Sequence, residues 1–307
     1  MMNALNPIFI IGIPRSGTTL LSTMLNVSEG VFFPEETHFF IQKSRYNKHS
    51  NYFKNKISFG EFYFSKRRAY NRNLTVSTEL IDQFNLLPSD KEKFEFILKI
   101  KGQKKDTALC EKTPIHMECI ADIKSIYPNA QFILMIRDPR DVFNSLLKVE
   151  WSFLFPYRKR INLFKKLINL SQLENVYPVK YEDLILNPKE ELIKLCSSLS
   201  IDFNEKMHTH FNDTEYSNFD LKHEPWKANN TKQLDPSNLY KWKEDTGGLC
   251  TYISTKLKRE INHFGYESNI TNRKVVSSIK YHIKEWRNEI LTRVISFDLF
   301  LIFSKRY

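Results

Sequence analysis

The sequence has few cysteines, no long apolar run and no internal repeat, and each absence narrows the class of protein. The four cysteines of the 307-residue chain form no Cys-x-x-Cys pair, so we read them as reduced thiols rather than a disulfide scaffold and expect a cytoplasmic setting. No stretch reaches the roughly 20 apolar residues that a membrane span needs. The first residues lack the basic segment and cleavage site of a signal peptide. We therefore expect a soluble protein, or one bound peripherally to a membrane.

The composition is that of a globular protein with an excess of positive charge. A hydrophobic content of 41% is enough to fill the core of one large α/β domain with insertions, or of two small ones. The net charge of +11 is spread along the chain rather than gathered in one basic arm. This balance suits a polyanionic small ligand, a nucleic acid or an anionic membrane surface, and charge alone does not choose among them.

The segment 8–21 predicts a binding loop for a phosphate. Its apolar start is typical of a buried strand, and Gly12 and Gly17 permit backbone conformations that other residues resist. The amides that follow lie at the start of a helix, where they donate to an anion. The spacing nearly matches the Walker A loop of triphosphate-binding proteins, but Thr18 stands where that loop has its lysine. The pattern therefore favours a phosphate held without a triphosphate.

Alternating strand and helix patterns predict an α/β fold with a P-loop-like parallel sheet flanked by helices. The strand-like runs cover residues 8–12, 107–110, 131–136 and 176–180. Residues 42–105 contain few Val and Ile, and we interpret them as a helical insertion over the sheet edge that shapes a substrate site. We take residues 1–270 as one domain and expect one long amphipathic helix after Gly248 that ends at residues 264–266. Residues 271–307 form an amphipathic helical tail that docks on the core or on lipid.

The loop also resembles that of a known enzyme family, the sulfotransferases that use 3′-phosphoadenosine 5′-phosphosulfate (PAPS). The matching residues of their 5′-phosphosulfate-binding loop are Pro14-Arg15-Ser16-Gly17-Thr18-Thr19. The resemblance implies a sulfotransferase domain over residues 1–270, with PAPS as co-substrate, released as PAP, and no metal. It also implies that the 5′-phosphosulfate is held by Arg15, Ser16, Gly17, Thr18 and Thr19. The alternative is an ordinary helix start after a buried strand.

A second motif, at residues 132–145, resembles the 3′-phosphate-binding motif of the same family. An apolar strand ends at Arg137, and Ser145 lies eight positions later, about two turns into the next helix. The resemblance implies that both residues bind the 3′-phosphate, which distinguishes PAPS from other adenine nucleotides. An alternative reads Asp138 as the metal ligand of a Walker B strand, although the first loop has no lysine to accompany it.

The triplet Glu35-Glu36-Thr37 is similar to that of the tyrosylprotein branch of the family, to which the motif spacing is closest. A carboxylate near an arginine serves as a base when the proton leaves late in the transition state. The second glutamate is the base in that branch, so the resemblance assigns this task to Glu36. His38 stands where the branch has arginine and is a second candidate base. Glu35 reads as a salt-bridged loop carboxylate.

Three further residues complete the implied site. Lys112 follows the second strand, so we expect it at the carboxyl edge of the sheet, where ligands of open α/β folds bind. It resembles the family's lysine on the oxygen that bridges phosphate and sulfonate. Lys112 and Arg15 then join Glu36 in catalysis, because negative charge grows on that oxygen as the bond breaks. Tyr181 and Lys241 resemble family elements that pack near the nucleotide.

The resemblance thus implies transfer of a sulfonyl group from PAPS to a hydroxyl of a glycan, a lipid or a tyrosyl side chain, and we expect no nucleic-acid partner. Two alternatives stay open, a P-loop small-molecule kinase and a non-catalytic basic protein that binds nucleotides or membrane surfaces. A strict Mg²⁺ requirement identifies the kinase. Tight PAP binding without turnover identifies the non-catalytic protein.

Overall fold

The computed structural model describes residues 5–48, 56–65, 74–147, 157–209, 234–244 and 248–268. The chain divides into two compact units. The first comprises Met1–Met135 and Glu174–Leu234, and the second comprises Ile136–Leu173 and Asp235–Tyr307. The predicted tail at 271–307 lies outside the described residues, so this tail and the domain boundary at 270 stay predictions.

A four-stranded sheet organises the first unit. Its strands are β1 (Ile8–Gly12), β2 (Cys110–Lys112), β3 (Gln131–Ile136) and β4 (Val176–Lys180), in the order β2-β1-β3-β4. β1 lies at the centre of the sheet and pairs in parallel with both β2 and β3. Every residue of β1 and β3 is buried, as expected for parallel strands covered on both faces. The predicted α/β fold is confirmed.

The second strand begins later than the sequence pattern predicted. Residues 107–110 were expected to form it, whereas it starts at Cys110, which pairs with Ile8 at the beginning of β1. Leu109 O still accepts Ile8 N–H of β1 at 2.8 Å, whereas Ala108 N–H donates to Gly30 O at 2.7 Å. The expectation was wrong because pairing with β1 sets the limits of β2. A local sequence pattern carries no information about that pairing.

Helices lie between and after these strands along the chain. In chain order they are α1 (Thr18–Leu25), α2 (Phe39–Lys48), α3 (Phe59–Tyr63), α4 (Thr78–Leu86), α5 (Asp90–Ile100), α6 (Ile120–Ile126), α7 (Pro139–Leu147), α8 (Tyr157–Ser171), α9 (Tyr181–Leu186), α10 (Pro188–Leu199), α11 (Lys206–Thr209), α12 (Leu249–Lys256) and α13 (Lys258–His263). Short 3₁₀ segments occur at Pro114–Glu118, Pro236–Asn238 and Lys241–Glu244. The single long helix expected after Gly248 is two helices, because α12 ends at Lys256 and α13 starts two residues later.

Aromatic side chains pack the helices of residues 39–100 onto the sheet. Phe9 of β1 stacks on Phe94 of α5 with 6.0 Å between ring centroids, and Phe94 contacts Phe39 of α2 at 5.4 Å. Phe39 in turn meets Phe59 and Tyr63 of α3 at 5.7 and 6.1 Å. Such pairs contribute roughly 0.5–1.5 kcal/mol each beyond the area that they bury. The cluster fixes α2, and with it the loop that precedes α2.

A buried ion pair and a carboxylate cap organise the described part of the second unit. Arg140 of α7 is fully buried and makes two hydrogen bonds to Asp138, at 2.9 and 2.6 Å. Its guanidinium lies 3.4 Å from the ring centroid of Trp242. Asp141 accepts the N–H groups of Tyr240 and Trp242 at 2.8 and 2.9 Å. The first turn of α7 therefore holds the segment that carries Lys241.

Two features bear on the cellular setting. None of the four cysteines is in a disulfide, and all four are buried within the described residues. Among the residues that the structure describes, no helix is both long and apolar enough to cross a membrane. The cytoplasmic setting itself stays a prediction.

Replacing Asp141 tests the anchor of the Tyr240–Trp242 segment. We expect Asp141→Ala to lower the free energy of unfolding by about 2–4 kcal/mol, because two amides lose a carboxylate acceptor and Trp242 N–H is left buried. Urea unfolding measures the change, and Asp122→Asn, at an exposed carboxyl of α6, is the control. Equal stabilities of Asp141→Ala and the wild type would contradict the conclusion that Asp141 holds this segment.

Candidate active site

The loop after β1 has the backbone of a phosphate-binding turn. Ser16 N–H donates to Ile13 O at 3.0 Å, and the first bond of α1 runs from Leu21 N–H to Gly17 O at 3.1 Å. The amides of residues 17–20 precede that bond and therefore have no acceptor within the helix. Arg15 takes a φ of 76°, in the left-handed region that side-chain-bearing residues rarely adopt. The expected helix start is thus in place.

The loop residues fit a phosphate-bearing group. A Cβ on Gly17, whose φ is 101°, would lie 2.3 Å from Cδ2 of Tyr181, and a Cβ on Gly12 would lie 2.7 Å from Met135 O. Both positions therefore require glycine. The Ser16 hydroxyl is buried and has no hydrogen-bond partner among the described residues. A buried hydroxyl beside helix amides that lack acceptors is suited to an anionic oxygen.

The structure brings Glu36 and Lys112 together. Glu36 Oε1 lies 2.8 Å from Lys112 Nζ, and Glu36 Oε2 lies 3.1 Å from His38 Nε2. Lys112 is nearly buried, with 5% of its side chain exposed, whereas Glu36 and His38 keep 23% and 27%. The candidate base, the candidate leaving-group cation and the second candidate base form one connected cluster.

The sheet explains why this cluster lies beside the phosphate loop. Lys112 is the last residue of β2 and pairs with Ile10 of β1, two residues before Gly12. Adjacent strands lie about 4.8 Å apart, so the loop and Lys112 leave the same edge of the sheet on neighbouring strands. Tyr181, the first residue of α9, contacts the loop through the close approach of its ring to Gly17. The structure thus places Lys112 and Tyr181 beside the loop, and binding of the 5′-phosphosulfate there stays a prediction.

The sequence analysis did not identify Glu111, the fully buried residue of β2 that directly precedes Lys112. Its Oε1 accepts hydrogen bonds from Thr37 N–H at 3.1 Å and from the hydroxyls of Thr37 and Thr113. Its Oε2 accepts from Thr113 N–H at 3.0 Å and lies 2.9 Å from His116 Nδ1. A charged residue in a buried strand was the available signal, but the partner Thr37 is 74 positions away in sequence.

Opposing effects set the pKa values around this cluster. Burial raises the pKa of Glu111, but the His116 charge and the hydrogen bonds from His116, Thr113 and Thr37 outweigh it and lower the pKa to about 2. Burial lowers the pKa of Lys101, although the nearby carboxylates of Glu35, Glu36 and Glu111 act in the opposite direction. Glu35 Oε2 lies 3.8 Å from Lys101 Nζ, as expected of a salt-bridged loop carboxylate.

The other predicted nucleotide contacts lie in the second unit. Arg137 directly follows β3, and Ser145 lies on α7. Lys241 is exposed and begins the 3₁₀ segment that Asp141 holds. Burial raises the pKa of Asp141, while the Arg137 charge and the amide hydrogen bonds act to lower it.

The alternative reading of Asp138 as a metal ligand conflicts with its contacts. Both carboxylate oxygens are hydrogen-bonded to the Arg140 guanidinium, and Oδ1 also accepts Arg140 N–H at 2.9 Å. A metal at this carboxylate would have to displace a buried, bidentate ion pair. Within the described residues, no group of three or more His, Cys, Asp or Glu side chains is placed to hold a metal ion. The expectation that the reaction needs no metal stays a prediction.

Comparison with known proteins identifies the family. The model of the sulfotransferase family matches residues 7–205. The chain belongs to the sulfotransferase family. It is 30% identical to protein-tyrosine sulfotransferase A of Caenorhabditis elegans, over 66% of this chain and 52% of that protein. It is 27% identical to protein-tyrosine sulfotransferase 1 of Danio rerio, over 66% and 55%. The chain thus spans about half the length of the curated relatives it matches.

Solved structures of sulfotransferase domains have the same fold. The domain from the Synechococcus PCC 7002 olefin synthase aligns with a TM-score of 0.57 at 21% identity, covering 87% of this chain and 97% of that domain. The domain from the curacin biosynthetic pathway aligns with a TM-score of 0.60 at 20% identity, covering 86% and 99%. At these identities the likeness establishes the fold, in agreement with the α/β architecture.

The lowered pKa of Glu111 predicts a loss of stability in acid. A carboxyl whose pKa falls from 4.5 to about 2 on folding stabilises the fold above about pH 4.5, and this contribution disappears as the pH falls towards 2. We expect Glu111→Gln to be less stable than the wild type at about pH 6, with a smaller difference at about pH 3. Urea unfolding at both pH values measures it. A difference that does not change with pH would show that the Glu111 carboxyl does not titrate as inferred.

Proposed function

We propose that this chain is a PAPS-dependent sulfotransferase that moves a sulfonyl group from the nucleotide to an acceptor hydroxyl. The observation that carries the proposal is the Glu36–Lys112 pair at the sheet edge that the phosphate loop leaves. Family membership supports the reaction class. The donor supplies an activated sulfonyl group on a phosphate, and the chain's residues bind, orient and exchange protons around it.

Each residue of the cluster then has a distinct task. The acceptor oxygen attacks sulfur while the bond from sulfur to the bridging oxygen breaks, and the acceptor proton passes to a Glu36 oxygen. The Lys112 ammonium donates a hydrogen bond to the bridging oxygen, where negative charge grows, so it stabilises the transition state more than the ground state. Arg15, Ser16, Gly17, Thr18 and Thr19 hold the 5′-phosphosulfate, and no metal takes part.

The Glu36–Lys112 contact links the base to the leaving-group cation, and His38 contacts the second Glu36 oxygen. The bridging oxygen of an anionic donor would compete with Glu36 Oε1 for the Lys112 ammonium. A lysine drawn to that oxygen would leave Glu36 Oε1 for the proton of the acceptor hydroxyl.

We assign the 3′-phosphate to Arg137 and Ser145, and nucleotide contacts to Tyr181 and Lys241. The position of Arg137 directly after β3, with Ser145 on the following helix, supports the first assignment. Contact of the Tyr181 ring with the phosphate loop supports the assignment of Tyr181. The assignment of Lys241 to the nucleotide rests on the family resemblance and on its place in the segment that Asp141 holds.

For the acceptor we favour a tyrosyl hydroxyl of a protein or peptide. The relatives from Caenorhabditis elegans and Danio rerio bear the name protein-tyrosine sulfotransferase, and the Glu35-Glu36-Thr37 triplet matches that branch. Glycan and lipid hydroxyls stay as alternative acceptors. For the cellular setting we keep the cytoplasm, with peripheral membrane contact through the tail. An acceptor screen with ³⁵S-labelled PAPS, run with and without EDTA, separates these acceptors from one another and a sulfotransferase from a Mg²⁺-dependent kinase.

The base assignment predicts the effect of Glu36→Gln. This change keeps the shape of the side chain but removes the basic oxygen, so we expect single-turnover transfer from labelled PAPS to fall about 10²- to 10⁴-fold. PAP affinity should stay nearly unchanged, because the proton leaves the acceptor and not the nucleotide.

His38→Ala is the matched variant for the base. If Glu36→Gln keeps a near-normal rate while His38→Ala loses activity, the base has been assigned to the wrong residue. Lys112→Ala should also slow transfer, and its defect should shrink with donors that have a better leaving group, whereas that of Glu36→Gln should persist.

The nucleotide assignment predicts a selective loss of affinity in Arg137→Ala. Removing a charged contact to phosphate costs about 1.5–3 kcal/mol, so PAP should bind about 10- to 100-fold more weakly. Binding of adenosine 5′-phosphosulfate, which lacks the 3′-phosphate, should barely change. Calorimetry measures both ligands, with Arg259→Ala, at an exposed arginine of α13, as the charge control. Equal losses for the two ligands would refute the 3′-phosphate assignment.

A further inference from the structure

Glu111 is tied to both members of the candidate catalytic pair through their neighbours in sequence. Thr37, which follows Glu36, and Thr113, which follows Lys112, each donate both their N–H and their hydroxyl to the Glu111 carboxylate. The carboxylate is fully buried, so these bonds are not weakened by competing water. We propose that Glu111 is a positioning residue that sets the distance between the base and the leaving-group cation. This inference rests on the proposed function.

The same carboxylate controls the backbone that carries Glu36. Once Glu111 has fixed Thr113, the Thr113 hydroxyl accepts His38 N–H at 3.1 Å, and the Thr37 hydroxyl accepts Phe39 N–H at 3.2 Å. The opposite side is closed by Tyr63, whose hydroxyl donates to Thr37 O at 2.6 Å. Three successive amides, at residues 37, 38 and 39, are therefore bound to side chains of this network.

The loop needs such bonds because its backbone is strained. His38 has a φ of 53°, a left-handed conformation that side-chain-bearing residues rarely adopt. It persists only where surrounding contacts fix it, and the amide of His38 is held by the Thr113 hydroxyl. Release of this amide lets the loop relax and moves Glu36 relative to Lys112.

His116 completes the network on the far side of the carboxylate. Its Nδ1 contacts Glu111 Oε2 at 2.9 Å, and its ring lies edge-on to Phe40 of α2, with 5.4 Å between centroids. Both Glu111 and His116 are entirely buried, so neither reaches solvent or a substrate. Glu111 therefore acts through the backbone of its neighbours and not on a reacting atom.

The sharpest test compares Thr113→Val with Thr113→Ser. Valine keeps the shape of threonine but removes the hydroxyl between Glu111 and His38 N–H, whereas serine keeps the hydroxyl. We expect Thr113→Val to lower turnover about 10- to 100-fold, as a displaced catalytic group does, with PAP affinity within about twofold. Thr113→Ser should keep near-normal turnover. Leu195→Ala, in the core of α10, is the control for a general loss of stability, with turnover per folded molecule unchanged.

Amide hydrogen exchange gives a readout that does not depend on activity. In Thr113→Val the amides of residues 37–39 should exchange about 5- to 10-fold faster than in the wild type, since a hydrogen bond of about 1 kcal/mol has been removed from a strained loop. Thr113→Ser should retain the wild-type rates. If Thr113→Val does not fold, the pair Thr37→Val and Thr37→Ser provides the same comparison at the other hydroxyl.

The outcomes separate the two proposals. Faster exchange with unchanged turnover in Thr113→Val would overturn the positioning role, since the network would then stabilise the loop without affecting catalysis. An equal loss of turnover in Thr113→Ser would also overturn it, since the hydroxyl would not be responsible. A wild-type chain that binds PAP but transfers no label to any acceptor refutes the proposed function. In that case the exchange difference still reports whether the Glu111 network holds the loop.

Discussion

The parallel pairing of β1 with β2 is the constraint on which the candidate site depends. It sets Ile8 opposite Cys110 and Ile10 opposite Lys112, so the phosphate loop and the lysine leave the same edge of the sheet. The pairing also brings the buried Glu111 under the loop at Thr37. A one-residue shift in register would turn Lys112 to the other face of the sheet and leave a buried carboxylate without its donors.

Local features were predictable because their causes are local. The helix start after Gly17 follows from glycine spacing, and the start of α7 at Pro139 follows from Asp138-Pro139. The limits of β2 and the division of the last described helix depend on packing partners distant in sequence, and both predictions were wrong. Glu111 was missed for the same reason, since its hydrogen bond with Thr37 joins residues that are 74 positions apart in the sequence.

Three of the six non-glycine residues with positive φ among the described residues lie in segments to which function was assigned, and the other three, Asp106, Asn175 and Ser200, lie elsewhere. Arg15 in the phosphate loop, His38 beside the base and Tyr240 beside Lys241 all have positive φ, between 53° and 76°. Each is held by neighbours: a turn at Ser16, the Thr113 hydroxyl, and the Asp141 carboxylate respectively. Such conformations persist where the surrounding structure determines them, and they commonly mark functional sites.

The charges around Glu36 form an alternating set. Glu35 faces Lys101, Glu36 faces Lys112, and Glu111 faces His116. Lys101 and Lys112 are both almost completely buried, so each would be a poorly solvated charge without its carboxylate. Lys112 differs from Lys101 in its place, because it ends β2 on the strand beside the phosphate loop. An anion held by that loop would compete with Glu36 for Lys112, so a bound donor would loosen the contact between the candidate base and the candidate leaving-group cation.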